Sequence, residues 1–353
     1  MKLNSKALIA KLKLITSAYK AQEEEKYTVQ GQYYIDQLEA DFGKDNFGQV
    51  AFNRGVGTFL NNGRNRIDAA VFNIEHKGIR LIGSHSELLW GARYQHESIQ
   101  DKLSEWRTID SAGYVAPYSP TEINLLDVIK SKISLETNRV QGYLQYAYNK
   151  QLRDSSLLTI TAGVRANYWD FNKQTVVSPR LTLSYKPNWK QDLVFKASWG
   201  YYYQPPFYRE MRGFDGKLNP NIKAQQSIHY LLSGDYNFKL WRRPFKVILA
   251  GYYKQLKDLI PYEIDNTRIR YFAKNNSVGY TQGVDLRING EFIKGIESWA
   301  TIGYLKTMEN ISDDRKVTYF NSDGDTIVNG YTFKSNESIS WLKLQKIMKY
   351  CMP

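Results

Sequence analysis

The chain has 353 residues, with 48 Lys and Arg against 35 Asp and Glu for a net charge of +13, and is 42% hydrophobic and 14% aromatic. That hydrophobic share excludes a disordered or collagen-like chain, and no apolar run approaches the ~18 residues of a transmembrane helix. One cysteine, Cys351, excludes a disulfide framework or a Cys-based zinc site, and the basic residues form no block that would point to nucleic acid.

Residues 5–20 and 26–34 read as the first two strands. Lys11 and Lys13 interrupt the apolar stretch after Ala7 too early for a signal peptide, and no small-residue cleavage site follows. The expectation is an exported protein whose own N-terminus lies upstream. Residues 36–64, bearing Gly, Asn and Asp, read as a large loop, then 66–76 and 84–107 as strands. A second large loop with Pro and Ser is expected over 108–132, before a strand at 133–149.

From there the alternation is strict. Leu158, Ile160, Ala162 and Val164 oppose Thr159, Thr161 and Arg165; Val177, Pro179, Leu181 and Leu183 oppose Ser178, Arg180, Thr182 and Ser184. Leu193, Phe195, Ala197, Trp199, Tyr201 and Tyr203 oppose Asp192, Lys196, Ser198 and Gln204. Segments 227–238, 245–253, 278–292 and 298–308 repeat the pattern. Successive strand side chains point to opposite faces, so each strand has an apolar face and a wet one. These runs are about twice the usual 5–6 residues and reach the roughly 9–11 that a tilted strand needs to cross a bilayer. The 27 tyrosines suit a membrane–water boundary, where an apolar ring and a polar tip are both used.

Short polar turns are expected near 151–155, 187–190, 239–243 and 294–297, alternating with longer links at 170–175, 205–224 and 257–276. Short turns on one side and long loops on the other are the arrangement of an outer-membrane barrel. About a dozen strands result, in an all-β, antiparallel transmembrane barrel over residues 1–333. Residues 334–353 lose the alternation and read as an aberrant or truncated tail. The alternative architecture is a secreted or surface β-rich binding protein, a sandwich or propeller. It requires Ile160, Leu181, Phe195 and Val284 to pack into a closed core instead of facing outward.

Three segments carry a resemblance: Ser178-Pro179-Arg180-Leu181-Thr182-Leu183-Ser184-Tyr185-Lys186-Pro187; Ser198-Trp199-Gly200-Tyr201-Tyr202-Tyr203-Gln204-Pro205-Pro206-Phe207-Tyr208; and Gly251-Tyr252-Tyr253-Lys254-Gln255-Leu256-Lys257-Asp258-Leu259-Ile260-Pro261-Tyr262. With Asn275 to Asp285 behind them, their order and spacing resemble the barrel of TonB-dependent outer-membrane receptors of the Bacteroidetes type. The resemblance implies a barrel of about 22 strands around a plug, of which this chain would hold roughly half, without the plug. It implies energy-dependent uptake of a siderophore, cofactor or glycan, with the TonB complex reached only through the plug region. The implied partners are outer-membrane lipid and a small-molecule or oligosaccharide ligand.

No catalytic constellation or cofactor fingerprint emerges. Asp313–Asp314 and Asp323-Gly324-Asp325 read as solvated turns, the latter lacking the spaced ligands of a calcium loop. The expected ligand-binding residues lie on two loops. Tyr203, Phe207, Tyr208, Arg209 and Arg212 set aromatic faces beside cations in the first, and Tyr262, Arg268 and Arg270, with Tyr271, do so in the second. The competing reading of each is packing within its loop. Tyr201 to Tyr203 are also expected as an aromatic girdle, and Gly279 and Gly283 as points of close approach on the wet face or a bend in the wall.

Overall fold

The computed structural model describes residues 10–41, 43–110, 121, 125–265 and 268–312, with the backbone of 319–320, 326–328 and 331–333. Its strands are β1 (Ala10–Leu38), β2 (Val50–Ile82), β3 (Ser86–Asp110), β4 (Leu125–Gln151), β5 (Leu157–Trp169), β6 (Gln174–Lys186), β7 (Asp192–Gln204), β8 (Gln225–Leu240) and β9 (Arg243–Leu259). A small hairpin, β10 (Tyr262–Asp265) and β11 (Arg268–Tyr271), precedes β12 (Ser277–Ile293) and β13 (Ile296–Ile311). Three short strands follow: β14 (Tyr319–Phe320), β15 (Thr326–Val328) and β16 (Tyr331–Phe333). One helical turn, α1 (Tyr208–Met211), interrupts the β structure. β1 to β9, β12 and β13 form one sheet of eleven strands in chain order, each next to its sequence neighbour.

The chain divides into two compact units: residues 1–20, 70–98 and 135–312, and residues 21–69, 99–134 and 313–353. In the first, register makes the two faces explicit. One cross-strand row reads Tyr148, Ile160, Leu183, Ala197, Leu232, Gly251, Val284, Tyr304 over eight successive strands. The row beside it reads Asn149, Thr159, Ser184, Lys196, Ser233, Ala250, Asp285, Gly303. A one-residue slip in any strand would exchange the rows, so the alternation itself fixes the register.

The apolar row is not a core. Leu232 is 69% exposed, Val284 50% and Phe195 42%, and Leu181 is exposed on the same face. A sandwich would have buried them; a barrel gives them to lipid. Aromatics flank this aliphatic band. Trp199, Tyr230, Tyr253 and Tyr280 stand toward the long loops, and Tyr236, Phe238, Phe245 and Phe292 toward the short turns. Phe245 and Tyr253 are eight residues apart on β9, about 27 Å along the strand before tilt, which suits an apolar band of about 25 Å.

The short turns have local causes. Leu240 pairs with Arg243 across Trp241 and Arg242, whose φ angles are 54° and 61°. A two-residue hairpin with both central residues left-handed matches strand twist, although neither residue is the usual Asn or Gly. Lys294–Gly295 closes β12 to β13 with Gly295 at φ 81°. At 152–156, Asp154 Oδ1 accepts from the backbone N–H and hydroxyl of Ser156.

Several expectations need correction. Segments 5–20 and 26–34 are one strand from Ala10 to Leu38, and the expected loop 36–64 is strand from Val50 onward. The charged run Glu23 to Glu25 lies inside β1 without interrupting it. Gly57 and Gly63 do not make turns; the rings of Tyr33 and Tyr27 lie over them, where a Cβ would sit only 2.3 and 2.1 Å away. The expected loop 108–132 is strand at both ends, through Asp110 and from Leu125. The link at 170–175 is only the four residues between Trp169 and Gln174, its Asp170 accepting from Thr137 Oγ1 and from the backbone and side-chain amides of Asn138. The 334–353 tail lies outside the described residues.

The second unit is braced by polar side chains. Asn65 donates to Glu25 and Glu105 and accepts from the backbone N–H of Ser104, while Arg107 donates to Asn61.

Candidate functional site

The long connections 205–224 and 260–276 leave the same end of β7, β8, β9 and β12, and they pack on each other. Asn275 ties them: its Oδ1 accepts from Lys223 N at 2.7 Å, and its Nδ2 donates to Lys223 O and Asp258 O. Asn219 Nδ2 adds a bond to Ala273 O at 2.8 Å. Met211 and Ile222 are fully buried in this cluster, with Tyr208 at 7% exposure. Glu210 reaches back to the N–H of Phe207 and also accepts from Gln225 Nε2, both at 3.0 Å, which starts α1. Phe207 has no acceptor to complete a reciprocal cap. Burial pushes the Glu210 carboxyl above the ordinary carboxylate range, and burial followed by the Glu210 charge raises the Tyr271 hydroxyl.

The eight expected ligand residues therefore divide. Tyr208 is core, Arg268 and Arg270 both pair with Asp265, and Arg270 also lies 4.7 Å over the Phe214 ring. Tyr203 Oη accepts from Gln226 Nε2 at 2.6 Å. Arg212 is half-buried and bridges to Leu218, while Arg209 stands on the surface. Phe207 and Tyr262 are exposed, and both rings meet Tyr271, at 5.6 and 5.9 Å between centroids. Hairpin register adds Ile264 and Ile269 to the Tyr262 face, 70% and 54% exposed. The two loops thus present one aromatic and aliphatic patch, with Arg268 and Arg270 held by structural partners.

Beneath the loops, the wet face holds a pocket of about 570 Å³. Its origin is a single residue type. β6 pairs with β7 from Tyr185 only as far as Arg180, which faces Gly200; residues 174–179 and 201–204 are not laddered to each other. Pro179 stands where the ladder stops and has no N–H to continue it. β6 remains paired with β5, and β7 with β8, so a slot opens between them at the loop end. Tyr202 lies in it, stacked on His229 at 4.1 Å, with the Arg180 guanidinium 4.1 Å from its ring centre. Arg165, Asn167, Ser178, Ser227 and several glutamines, Gln141 and Gln204 among them, add to the polar lining.

The expected girdle at Tyr201 to Tyr203 is accordingly split by strand parity. Tyr201 meets Trp199 edge-on at 5.5 Å on the apolar face, and Tyr202 turns into the slot. Gly283 does serve close approach: Tyr252, opposite it on β9, lays its ring across, with Cζ 2.7 Å from where a Cβ would stand. The slot itself was missed in the sequence reading. Its only signal was the Pro-Arg at 179–180, inside a strand whose two neighbours carry Arg165 and Tyr202 on the same parity. The aspartates at 313–314, 323 and 325 lie outside the described residues.

Among solved structures the chain is similar to the RagAB peptide transporter, at 10% identity and TM-score 0.46, over 90% of this chain and 37% of that one. It is similar to the FpvAI–pyocin S2 complex at 14% and 0.47, over 89% and 40%, and to the outer membrane transporter YddB from Escherichia coli at 11% and 0.40, over 85% and 55%. The chain thus spans between 37% and 55% of the length of these structures. A comparison with curated proteins gives no match. The family described as TonB dependent receptor-like, beta-barrel matches residues 11–342. With its apolar band outward and its loops gathered at one end, the chain belongs to the β-barrel family of TonB-dependent receptors, proteins of the Gram-negative outer membrane.

Proposed function

We propose that this chain is wall of an uptake receptor that takes a large nutrient, a siderophore, a cofactor or a glycan, from outside the cell in an energy-dependent step. The observation that supports this most directly is the joined loop cluster over the slot: an exposed aromatic patch stands above a polar pocket on the wet face. A ligand stacking on Phe207 and Tyr262 would next meet Tyr202 and Arg180. We also read the chain as part of a larger barrel, since β1 and β13 each have one hydrogen-bonded neighbour in the sheet among the described residues. Further strands, and a plug through which the TonB complex would act, would complete it.

Orientation is the first thing to test. In a Cys351→Ser background, Lys217→Cys in the long loop and Trp189→Cys in the short turn 187–191 offer two exposed probes. On intact cells exporting the chain, a membrane-impermeant maleimide is expected to label position 217 and to reach position 189 only after lysis. Labelling at both sites, or at 189 alone, would defeat the receptor reading.

A further inference from the structure

The lining of the slot between β6 and β7 contains no Asp or Glu, yet it holds Arg165 and Arg180. Neither guanidinium forms an ion pair among the described residues; they lie over the rings of Tyr143 and Tyr202, at 5.6 and 4.1 Å. Register places Arg165 opposite Ser178 and Arg180 opposite Gly163, so the two are diagonal neighbours on one face, about 7–8 Å apart at the backbone. Long side chains at that spacing can converge on one anion. Guanidinium N–H groups match a carboxylate in a fork that a lysine cannot reproduce.

Three buried polar atoms in the same pocket have no hydrogen-bond partner: Arg180 Nε, Asn167 Oδ1 and Ser227 Oγ. Asn167 is only 9% exposed, so bulk water does not routinely satisfy it. A buried polar group left unmade costs about 1–3 kcal/mol, and such orphans mark a place where a ligand group belongs. Their types differ. Arg180 Nε donates only, Asn167 Oδ1 accepts only, and Ser227 Oγ does either. Sulfate, which has no O–H, would satisfy the donor and leave the Asn167 acceptor unmet. A hydroxyl beside a carboxylate meets all three. The volume of about 570 Å³ falls within the usual 300–1,000 Å³ of small-molecule sites, and Leu256, Leu259 and Val176 offer an apolar side for C–H groups.

We propose that the β6–β7 slot is a subsite for a hydroxy-carboxylate unit of the ligand, with its carboxylate on Arg180 and Arg165 and its hydroxyl on Asn167 and Ser227. This deepens the receptor reading above and rests on it for the route by which the ligand arrives. Sugar acids and hydroxy-acid metal chelators share this chemistry.

The test is binding to outer-membrane preparations holding the full chain, with four probes: trigalacturonate, citrate, inorganic phosphate and neutral trigalactose. One of the two hydroxy-carboxylates is expected to bind, and which one assigns the source. Arg180→Gln and Arg165→Gln are each expected to weaken it at least tenfold, Arg180→Lys less so, with neutral trigalactose unaffected. Ser227→Ala and Asn167→Ala, small truncations in the same pocket, are expected to weaken it several-fold; they decide the matter if the arginine variants do not reach the membrane. No binding of either carboxylate, phosphate binding as tightly as they do, or unchanged binding in the variants would overturn the proposal. External labelling at position 217 with no carboxylate binding sinks the subsite alone. Carboxylate binding with the labelling pattern reversed sinks the receptor orientation alone.

Discussion

Glu210 shows how one residue can hold a loop and make it sensitive to pH. Its carboxyl is 6% exposed and caps α1 through the N–H of Phe207. Because burial raises its folded pKa, the folded loop keeps a proton that the unfolded loop has lost, between the ordinary carboxylate range and the raised value. Loop stability is therefore fullest below the ordinary range and falls as pH rises through the folded pKa. Hydrogen exchange over residues 205–224, corrected for intrinsic rates between pH 4 and 8, should show faster opening at the alkaline end. Glu210→Gln should flatten that slope, since an amide keeps an acceptor for Phe207 but never ionises. An unchanged slope would move the cause to another group. The role of Glu210 was illegible in the sequence: a Glu between two arginine-bearing positions reads as a solvated surface charge. Its distant partners arrive from elsewhere in the chain: Gln225 at the start of β8 and Tyr271 of the second loop.

At the scale of elements, the strands from β4 onward were legible because alternation is a local property with period two. The β1–β2 region was not. Where apolar residues no longer alternate cleanly, the charges of 23–25 look like a break, although the backbone stays extended beside its neighbour. Loop joining was also beyond the sequence, since Asn275 and Lys223 are 52 positions apart. Asn275 makes three hydrogen bonds to backbone, two exposed ones to Lys223 of the other loop and a part-buried one to Asp258 at the end of β9, and a typical bond contributes about 0.5–1.5 kcal/mol net. Asn275→Ala is expected to speed exchange in residues 205–224 by roughly tenfold or more, since about 1.4 kcal/mol corresponds to a factor of ten. The short turns 187–191 and 241–242 should not respond. Equal acceleration everywhere would mean that Asn275 supports the sheet and not the loop contact.

At the scale of the whole molecule, the sheet ends matter most. Among the described residues β1 and β13 each carry an unladdered edge in the sheet, and hydrocarbon offers such groups no partner. The chain by itself is therefore expected not to give the compact, fast-migrating band of a closed barrel when an unheated sample is run on a gel. Such a band, shifting on boiling, would show that the chain closes alone and would refute its reading as part of a larger barrel.

The sequence by itself determined the class of this protein. Period-two alternation over membrane-length segments encodes which residues face lipid, and that information lies within each strand. Even the row Tyr148 to Tyr304 needs only the alternation and the turns to be set in register. Tertiary structure alone decided where a ligand would be met. The slot depends on a ladder that stops at Arg180, the loop patch on contacts between segments far apart in sequence, and the two arginines on a slot lining in which, among the described residues, no strand places a carboxylate. Each is a relation between strands, and period-two patterning within one strand carries no record of its neighbour's side chains.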